Sequence, residues 1–279
     1  MRIGIVTCKV LPEPDPDAAP LATALAGAGH EVIPAPWDAG DPPEVDRFVI
    51  RSAWNYFEDH EAFCEWIDRA ALIAPVVNSS QIVRWNIHKK YLLELSSNNV
   101  PVIPTTIIAR GEIQTDMPDT PFSLGEGTVI KPAISAGSYN TRRFAGDELS
   151  LAVQWLNELA GEGDVLVQPY MDGFRDPGEE SLIHIDGVWT HSIRKHPRYA
   201  GQDERVESSG PPTDEVLRVA NAALSVVPYA FGYARADLIQ DAAGRVMISE
   251  LELMEASLFF DESPEALSRF VALITRDGK

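Results

Sequence analysis

The chain has 279 residues, 45% of them apolar, and a formal net charge of −19 at neutral pH. That supports one large or two to three small cores, and the acidic balance argues against nucleic acid or an anionic membrane as partner, since both need a basic face. No apolar run is long enough for a membrane-crossing helix, and the start MRIGIVTCKV lacks the apolar core and cleavage site of a signal peptide. Cys8 and Cys64, without a C-x-x-C pair, suit a reducing compartment, so a cytoplasmic protein without a disulfide is expected.

In chain order, RIGIVT reads as a strand, LPEPDPDAAP as a proline-rich loop, LATALAGAG as a helix ending at Gly29, and EVIPAPW and RFVIRSAW as two further strands. EAFCEWIDRAAL has helical spacing, with Phe63, Trp66, Ile67 and Ala70 on one side. Strands alternating with helices predict a small α/β domain over residues 1–84, whose ligand edge lies near Thr7–Cys8 and Arg51–Asn55. A second unit, 85–166, carries a helix from about Ile87 to Ser97, the strand TVIKP with a small-residue loop, and the helix DELSLAVQWLNELA. The third, 167–279, alternates ESLIHID, VWTHSIRK, YARADLIQ and RVMISELEL with the helix TDEVLRVANAALSVV, an antiparallel α+β pattern. HPRYAGQDERVESSGPP is the candidate mobile loop.

The chemistry centres on VMISELEL. Simple alternation puts Val246, Ile248, Glu250 and Glu252 on one face and Met247, Ser249, Leu251 and Leu253 on the other. Alone, such an E-x-E pair reads as a strand tip reaching solvent. The preceding strand changes this, because the turn DAAG makes a hairpin in which Asp237 lies across from the glutamates, with Arg235 on the same face. Three acids and a base on adjacent strands suit a shared hard cation such as Mg²⁺, with a structural salt-bridge ladder as the alternative. Lys131 ends the apolar strand TVIKP and needs an anionic partner. The loop after it, with Ser135, Ala136, Gly137 and Ser138, lets backbone N–H groups approach phosphate. Lys89 and Lys90 at a helix start oppose the macrodipole unless an anion binds there.

The order Lys89, VPVIPT, VIKP, the small-residue loop, VLVQPYM, ARADL and ELEL is similar to the ATP-grasp superfamily of carboxylate–amine ligases, over most of the chain. RSAWNYF, VRWNIHKKYL, KPAISAGSYNT and SIRKHP resemble the branch containing the D-cycloserine-forming (O-ureido-serine) cyclo-ligase. The resemblance implies an N-terminal α/β domain followed by an α+β ATP-grasp fold whose two subdomains clasp ATP. It implies ATP and Mg²⁺ as cofactors, with Mn²⁺ as the alternative ion, a small carboxylate substrate and, as in many relatives, a homodimer. Lys89 and Lys131 would meet the phosphates. Gln168, Pro169 and Tyr170 would form the adenine hinge, and Glu179 or Glu180 would stand at the nucleotide rim. Asp237, Glu250 and Glu252 would hold the metal, and Arg235 and Lys195 would face the transferred phosphoryl group. Two departures stand out: His88 where many relatives have Asp, and Glu252 where many have Asn.

If the family layout holds, RSAWNY supplies substrate contacts: Arg51 for a carboxylate, Ser52 and Asn55 for hydrogen bonds, Trp54 as a wall. Arg51 equally suits an interdomain salt bridge, and Trp54 a core position. His184 reads as a satisfied strand histidine, and Glu255 has no role. The expected activity is an ATP-dependent ligase or cyclo-ligase; the alternatives are a small-molecule kinase and a non-catalytic Mg-ATP-binding regulator.

Overall fold

The structure is a computed structural model, and residues 1–118, 127–195 and 206–276 are described. Strands β1 (Arg2–Thr7), β2 (Glu31–Pro36), β3 (Arg47–Ile50) and β4 (Val76–Val77) form a parallel sheet in the order β2–β1–β3–β4. Gly4 lies on the central strand where a β-carbon would stand 2.7 Å from the Phe48 ring, so only glycine lets that ring lie against the sheet. Helices α1 (Ala18–Gly27) and α2 (His60–Ile73) accompany it. Asp59 caps α2 by accepting from Ala62 N at 3.0 Å. The expected apolar side of α2 (Phe63, Trp66, Ile67, Ala70) is buried in one core with Phe48 and Ile50.

Beyond β4 the backbone differs from the sequence expectation. In place of one helix from about Ile87, α3 (Ser80–Asn86) and α4 (Tyr91–Ser97) flank a turn. Polar groups at this point are drawn across the fold. Asn86 donates to Leu251 O and accepts from Leu253 N, both at 2.7 Å. Lys89 N donates to Ala133 O at 2.8 Å rather than entering a helix. Lys89 is thus fixed in the turn, and α4 starts two residues later.

The middle sheet is antiparallel: β5 (Thr106–Ile108), β6 (Thr128–Pro132), β7 (Arg142–Phe144) and β8 (Val165–Pro169), in the order β5–β8–β6–β7. Helix α5 (Leu149–Glu162) buries Ala152, Leu156 and Leu159 against Ile130, Val165 and Val167. The C-terminal sheet is also antiparallel: β9 (Glu179–Ile185), β10 (Val188–Lys195), β11 (Val206–Ser208), β12 (Tyr233–Gln240) and β13 (Val246–Glu252), in the order β11–β10–β9–β12–β13. The expected mobile loop falls partly on residues 196–205, outside the described residues, and then enters β11.

The two faces of this sheet do different work. Leu182, Ala234, Ala236 and Leu238 share a core with α4 and with helix α6 (Asp214–Val226). Ile183, Ile185 and Tyr233 point the other way, into a core with helix α7 (Pro264–Thr275), α1 and the N-terminal residues Ile3 and Val49. The N-terminal and C-terminal sheets therefore share apolar packing. Arg235, Asp237 and Glu179 have the parity of that second face, which opens beyond Ile183 into a cavity. The architecture is an α/β N-terminal unit followed by two antiparallel α+β units, the class anticipated from the sequence. Among the described residues, no helix is long and apolar enough to cross a membrane.

Candidate functional site

The site is built on the β12–β13 hairpin, in which Arg235 pairs with Glu252 and Asp237 with Glu250. Simple alternation fails in one respect. A bulge shifts the register so that Asp237 pairs with Glu250 while Leu238 pairs with Ile248. Val246 and Ile248 therefore share the apolar face with Leu251 and Leu253, against α6. Ser249 is turned to the acidic face, where it donates to Glu179 Oε1 at 2.6 Å and lines the cavity with Glu250 and Glu252. The extra residue keeps one face wholly apolar while the other gains two adjacent polar side chains.

Each of the three carboxylates is held by a base. Asp237, 1% exposed, accepts from Arg235 Nε at 2.9 Å, Arg235 Nη2 at 2.8 Å and Lys195 Nζ at 3.0 Å. Burial would raise this carboxyl, but Arg235 and Lys195 outweigh it and hold it well below the usual carboxylate range. Arg235 also donates to Glu252. Burial, reinforced by Glu250 and Asp237, nevertheless pushes Glu252 up to about 8 against the pull of Arg235. Glu250 pairs with Lys89 Nζ at 3.0 Å; burial opposes its ionisation, but Lys89 and Lys131 lower it. Burial lowers Lys131, and neighbouring Lys89 adds to that. The acids are thus neutralised one by one, and among the described residues no group of three or more His, Cys, Asp or Glu is gathered closely enough to hold a metal ion by itself.

A cavity of about 950 Å³ runs over this cluster, within the range of small-molecule sites. One end is formed by Gln168, Pro169 and Tyr170, with Val129 and Arg143 beside them. Gln168 is fixed by donating to Thr105 Oγ1 at 2.8 Å, and Tyr170 N is already donated to Gly127 O at 2.9 Å. Along the side runs the loop Ser135, Ala136, Gly137, Ser138. Gly137 and Ser138 have φ of 57° and 61°, the left-handed region that turns successive N–H groups to one side. Tyr139 of this loop stacks on Phe57 of the N-terminal unit, with centroids 4.3 Å apart. Lys89, Lys131 and Lys195 all line the cavity.

The pair Glu179 and Glu180 is resolved by strand parity. Glu179 faces the cavity, 3.4 Å from Lys195 Nζ, whereas Glu180 points to the opposite face toward Arg194 and Ser209. Of the expected substrate contacts, only Trp54 lines the cavity, and it donates to Glu255 O at 3.0 Å. The other three are corrections. Arg51, 2% exposed, pairs with buried Asp17 at 2.9 Å and lies over the rings of Phe260 and Phe270. Ser52 is tied to Thr7, and Asn55 to Asp38 and Trp37. Strand β3 ends at Ile50, four residues short of the expected RFVIRSAW, so RSAWNY turns into the junction between units rather than out to a ligand.

Sequence reasoning missed Ser249, Arg143, Arg175, Glu13 and Glu255, which also line the cavity. Ser249 needed the bulge, and the others lie on loops or edges without periodic signal. Glu255 alone left a trace, as an acid among apolar residues in ELMEAS.

Residues 3–78 match the family model of the N-terminal domain of D-cycloserine synthetase DcsG. The cycloserine biosynthesis protein DcsG of Streptomyces lavendulae is 28% identical over 293 aligned positions, covering 96% of each chain. The crystal structure of D-cycloserine synthetase DcsG superposes with a TM-score of 0.85 at 25% identity, covering 98% of each chain. D-alanine–D-alanine ligase from Bacillus anthracis, solved with ATP, shares the fold at a TM-score of 0.66 and 17% identity, covering 98% of this chain and 96% of that one. These likenesses favour a ligase over the kinase and regulator alternatives. The chain has the ATP-grasp fold and is similar over nearly its whole length to D-cycloserine synthetase DcsG.

Proposed function

We propose that the chain spends ATP to convert the carboxylate of a small amino-acid-like substrate into an acyl phosphate, which a nitrogen then attacks. A substrate of the O-ureido-serine type would close in this way through its oxygen-bound nitrogen, expelling phosphate, and hydrolysis of the remaining carbamoyl group to carbon dioxide and ammonia would leave cycloserine. The observation that carries this reading is the row of acid–base pairs Lys89–Glu250, Arg235–Glu252 and Lys195–Asp237 along one wall of the cavity. A carboxylate resists attack because its leaving group would be oxide; phosphorylation replaces that with phosphate. Such a transfer asks the protein for positioning and charge neutralisation.

The residues divide accordingly. Lys89 and Lys131 would take the nucleotide phosphates, with N–H groups of the Ser135–Ser138 loop. Gln168, Pro169 and Tyr170 would bound the adenine, and Glu179 the ribose. Because Tyr170 N–H is already bonded, the hinge must address adenine through its other backbone groups. Arg235 and Lys195 would neutralise the transferred phosphoryl group.

The donor set suits Mg²⁺, which takes hard oxygens and is commonly held by one or two carboxylates together with substrate phosphates. Glu250 and Glu252, with Asp237 behind them, would supply those oxygens, and a cation would offset the burial and the neighbouring acids that raise Glu252. When bound, Mg²⁺ neutralises phosphate charge, and Mn²⁺ has similar ligand preferences. Phosphates arriving at Lys89 and Arg235 would compete with the carboxylates now paired there.

The test is ADP and phosphate release with O-ureido-serine, together with detection of the cyclic product. Wild type should release ADP only when the acid is present, and Glu250→Gln or Asp237→Asn should abolish turnover. Full activity in either variant overturns the site assignment; a phosphorylated product without a new C–N bond overturns the ligase reading.

A further inference from the structure

Glu255 lies three residues beyond β13, lines the cavity and is 8% exposed. Its Oε2 is buried and has no hydrogen-bond partner among the described residues. A buried carboxylate oxygen without a donor is costly, so it invites one from a ligand. Burial pushes this carboxyl up to about 7 against the pull of Lys89 and Tyr56, and both of those donors are shared: Tyr56 Oη donates to Ser135 O at 3.0 Å, and Lys89 Nζ to Ser135 O at 2.7 Å while pairing with Glu250 at 3.0 Å. The backbone of Glu255 is fixed by the Trp54 indole, which donates to its carbonyl. Trp54, from the N-terminal unit, lines the same part of the cavity.

This corner therefore offers one anionic group beside an indole. It suits a compact organic cation, held by the carboxyl group beside the indole. The geometry points to Glu255 as the group that binds the amino nitrogen of the substrate as its ammonium, an assignment that rests on the ligase reading above. Anchored there, an amino acid would extend its carboxylate away from Glu255 toward the bases Arg235 and Lys195. Glu255 then selects amino acids over simple acids, while the nucleotide is bound elsewhere in the same cavity.

The experiment compares paired acids in ADP-release assays with saturating Mg-ATP: alanine and propionate, serine and 3-hydroxypropionate, O-ureido-serine and its des-amino counterpart. Every pair that turns over should favour the amino member. Glu255→Gln should raise KM for that member by about 10- to 100-fold, the range of a charge-assisted hydrogen bond, while leaving KM for the des-amino member unchanged. Glu255→Asp should recover part of the loss. The dissociation constant of Mg-ADP, measured by calorimetry, should be unchanged in both variants, which also verifies folding. Equal use of both members by wild type overturns the assignment, as does an equal loss for both in Glu255→Gln. Weakened Mg-ADP binding would make Glu255 a metal or structural residue instead. If no acid turns over while Mg-ADP binds normally, the ligase reading falls and takes the assignment with it.

Discussion

Replacing Asp17 by Ala tests whether Arg51 holds the units together or binds substrate. Asp17 is 1% exposed and accepts from Arg51 Nη2 at 2.9 Å, Leu258 N at 2.6 Å and Phe260 N at 2.9 Å. It thereby joins the loop before α1, the end of β3 and the segment leading to α7. Arg51 Nε and Nη1 have no other partner among the described residues, so its only anion is Asp17. Losing one member of a buried pair costs about 3–5 kcal/mol, because the remaining charge stays buried. Two amides lose their acceptor as well, which sets the expected loss at about 4–6 kcal/mol. For a chain of this size that lowers Tm by roughly 10–20 °C.

Urea unfolding at neutral pH measures the effect through the midpoint at constant m-value. Arg51→Ala should also destabilise, and the double variant should be more stable than the sum of the single losses implies by at least about 2 kcal/mol. KM for the carboxylate substrate should change little in a folded Arg51→Ala preparation. An Asp17→Ala chain within about 1 kcal/mol of wild type refutes the structural role of the pair, as does an Arg51→Ala chain that keeps its stability and raises that KM more than tenfold. The second result would restore Arg51 as the substrate clamp suggested by its place at a strand end.

Two further outcomes follow from other contacts. Tyr139→Ala removes the stack on Phe57, worth about 0.5–1.5 kcal/mol, and should weaken Mg-ADP binding by about 2- to 10-fold in calorimetry; an unchanged constant would separate this contact from the phosphate loop. His184 is 8% exposed, lies against Trp189 and Phe231, and has a lowered pKa because burial outweighs the attraction of Asp186. The unfolded chain therefore binds this proton more readily, so its contribution is intact above about pH 6.5 and is lost as pH falls below that. Relative to His184→Leu, wild type should lose up to about 1.4 kcal/mol per pH unit between pH 6.5 and 5.5. A difference that stays flat from pH 7.5 to 5.5 refutes it.

What could be read from the sequence, and what could not, divides by the range of the interactions involved. The α2 face, the β12–β13 hairpin and the pairing of Asp237 with the glutamates depend on spacing within about twenty residues, and periodicity reports them. The resemblance to the ATP-grasp superfamily lies in the order of several such local signals. Lys89 shows the limit. Its segment has helical spacing, yet Ala133 O and the strand end at Leu251–Leu253 capture Lys89 N and the Asn86 amide and stop the helix. Neither partner is near in sequence, so no window could contain the cause.

The bulge at Ser249–Glu250 makes the same point at the site itself. Strict alternation would give one face of β13 two apolar residues and then two acids, and would force either Ile248 into the cavity or Glu250 into the α6 core. Inserting one residue resolves this: the apolar set Val246, Ile248, Leu251, Leu253 stays together, and Ser249, Glu250 and Glu252 share the other side. The apolar residues carry the signal of this bulge. Four of them, spaced two, three and two apart, fit a strand only if one residue is skipped between 248 and 251. Core burial, worth about 1.5–3 kcal/mol for each large apolar side chain, decides which residues face inward. The position of the acids follows from it, so the break in the apolar spacing locates the site-side irregularity better than the E-x-E pair does.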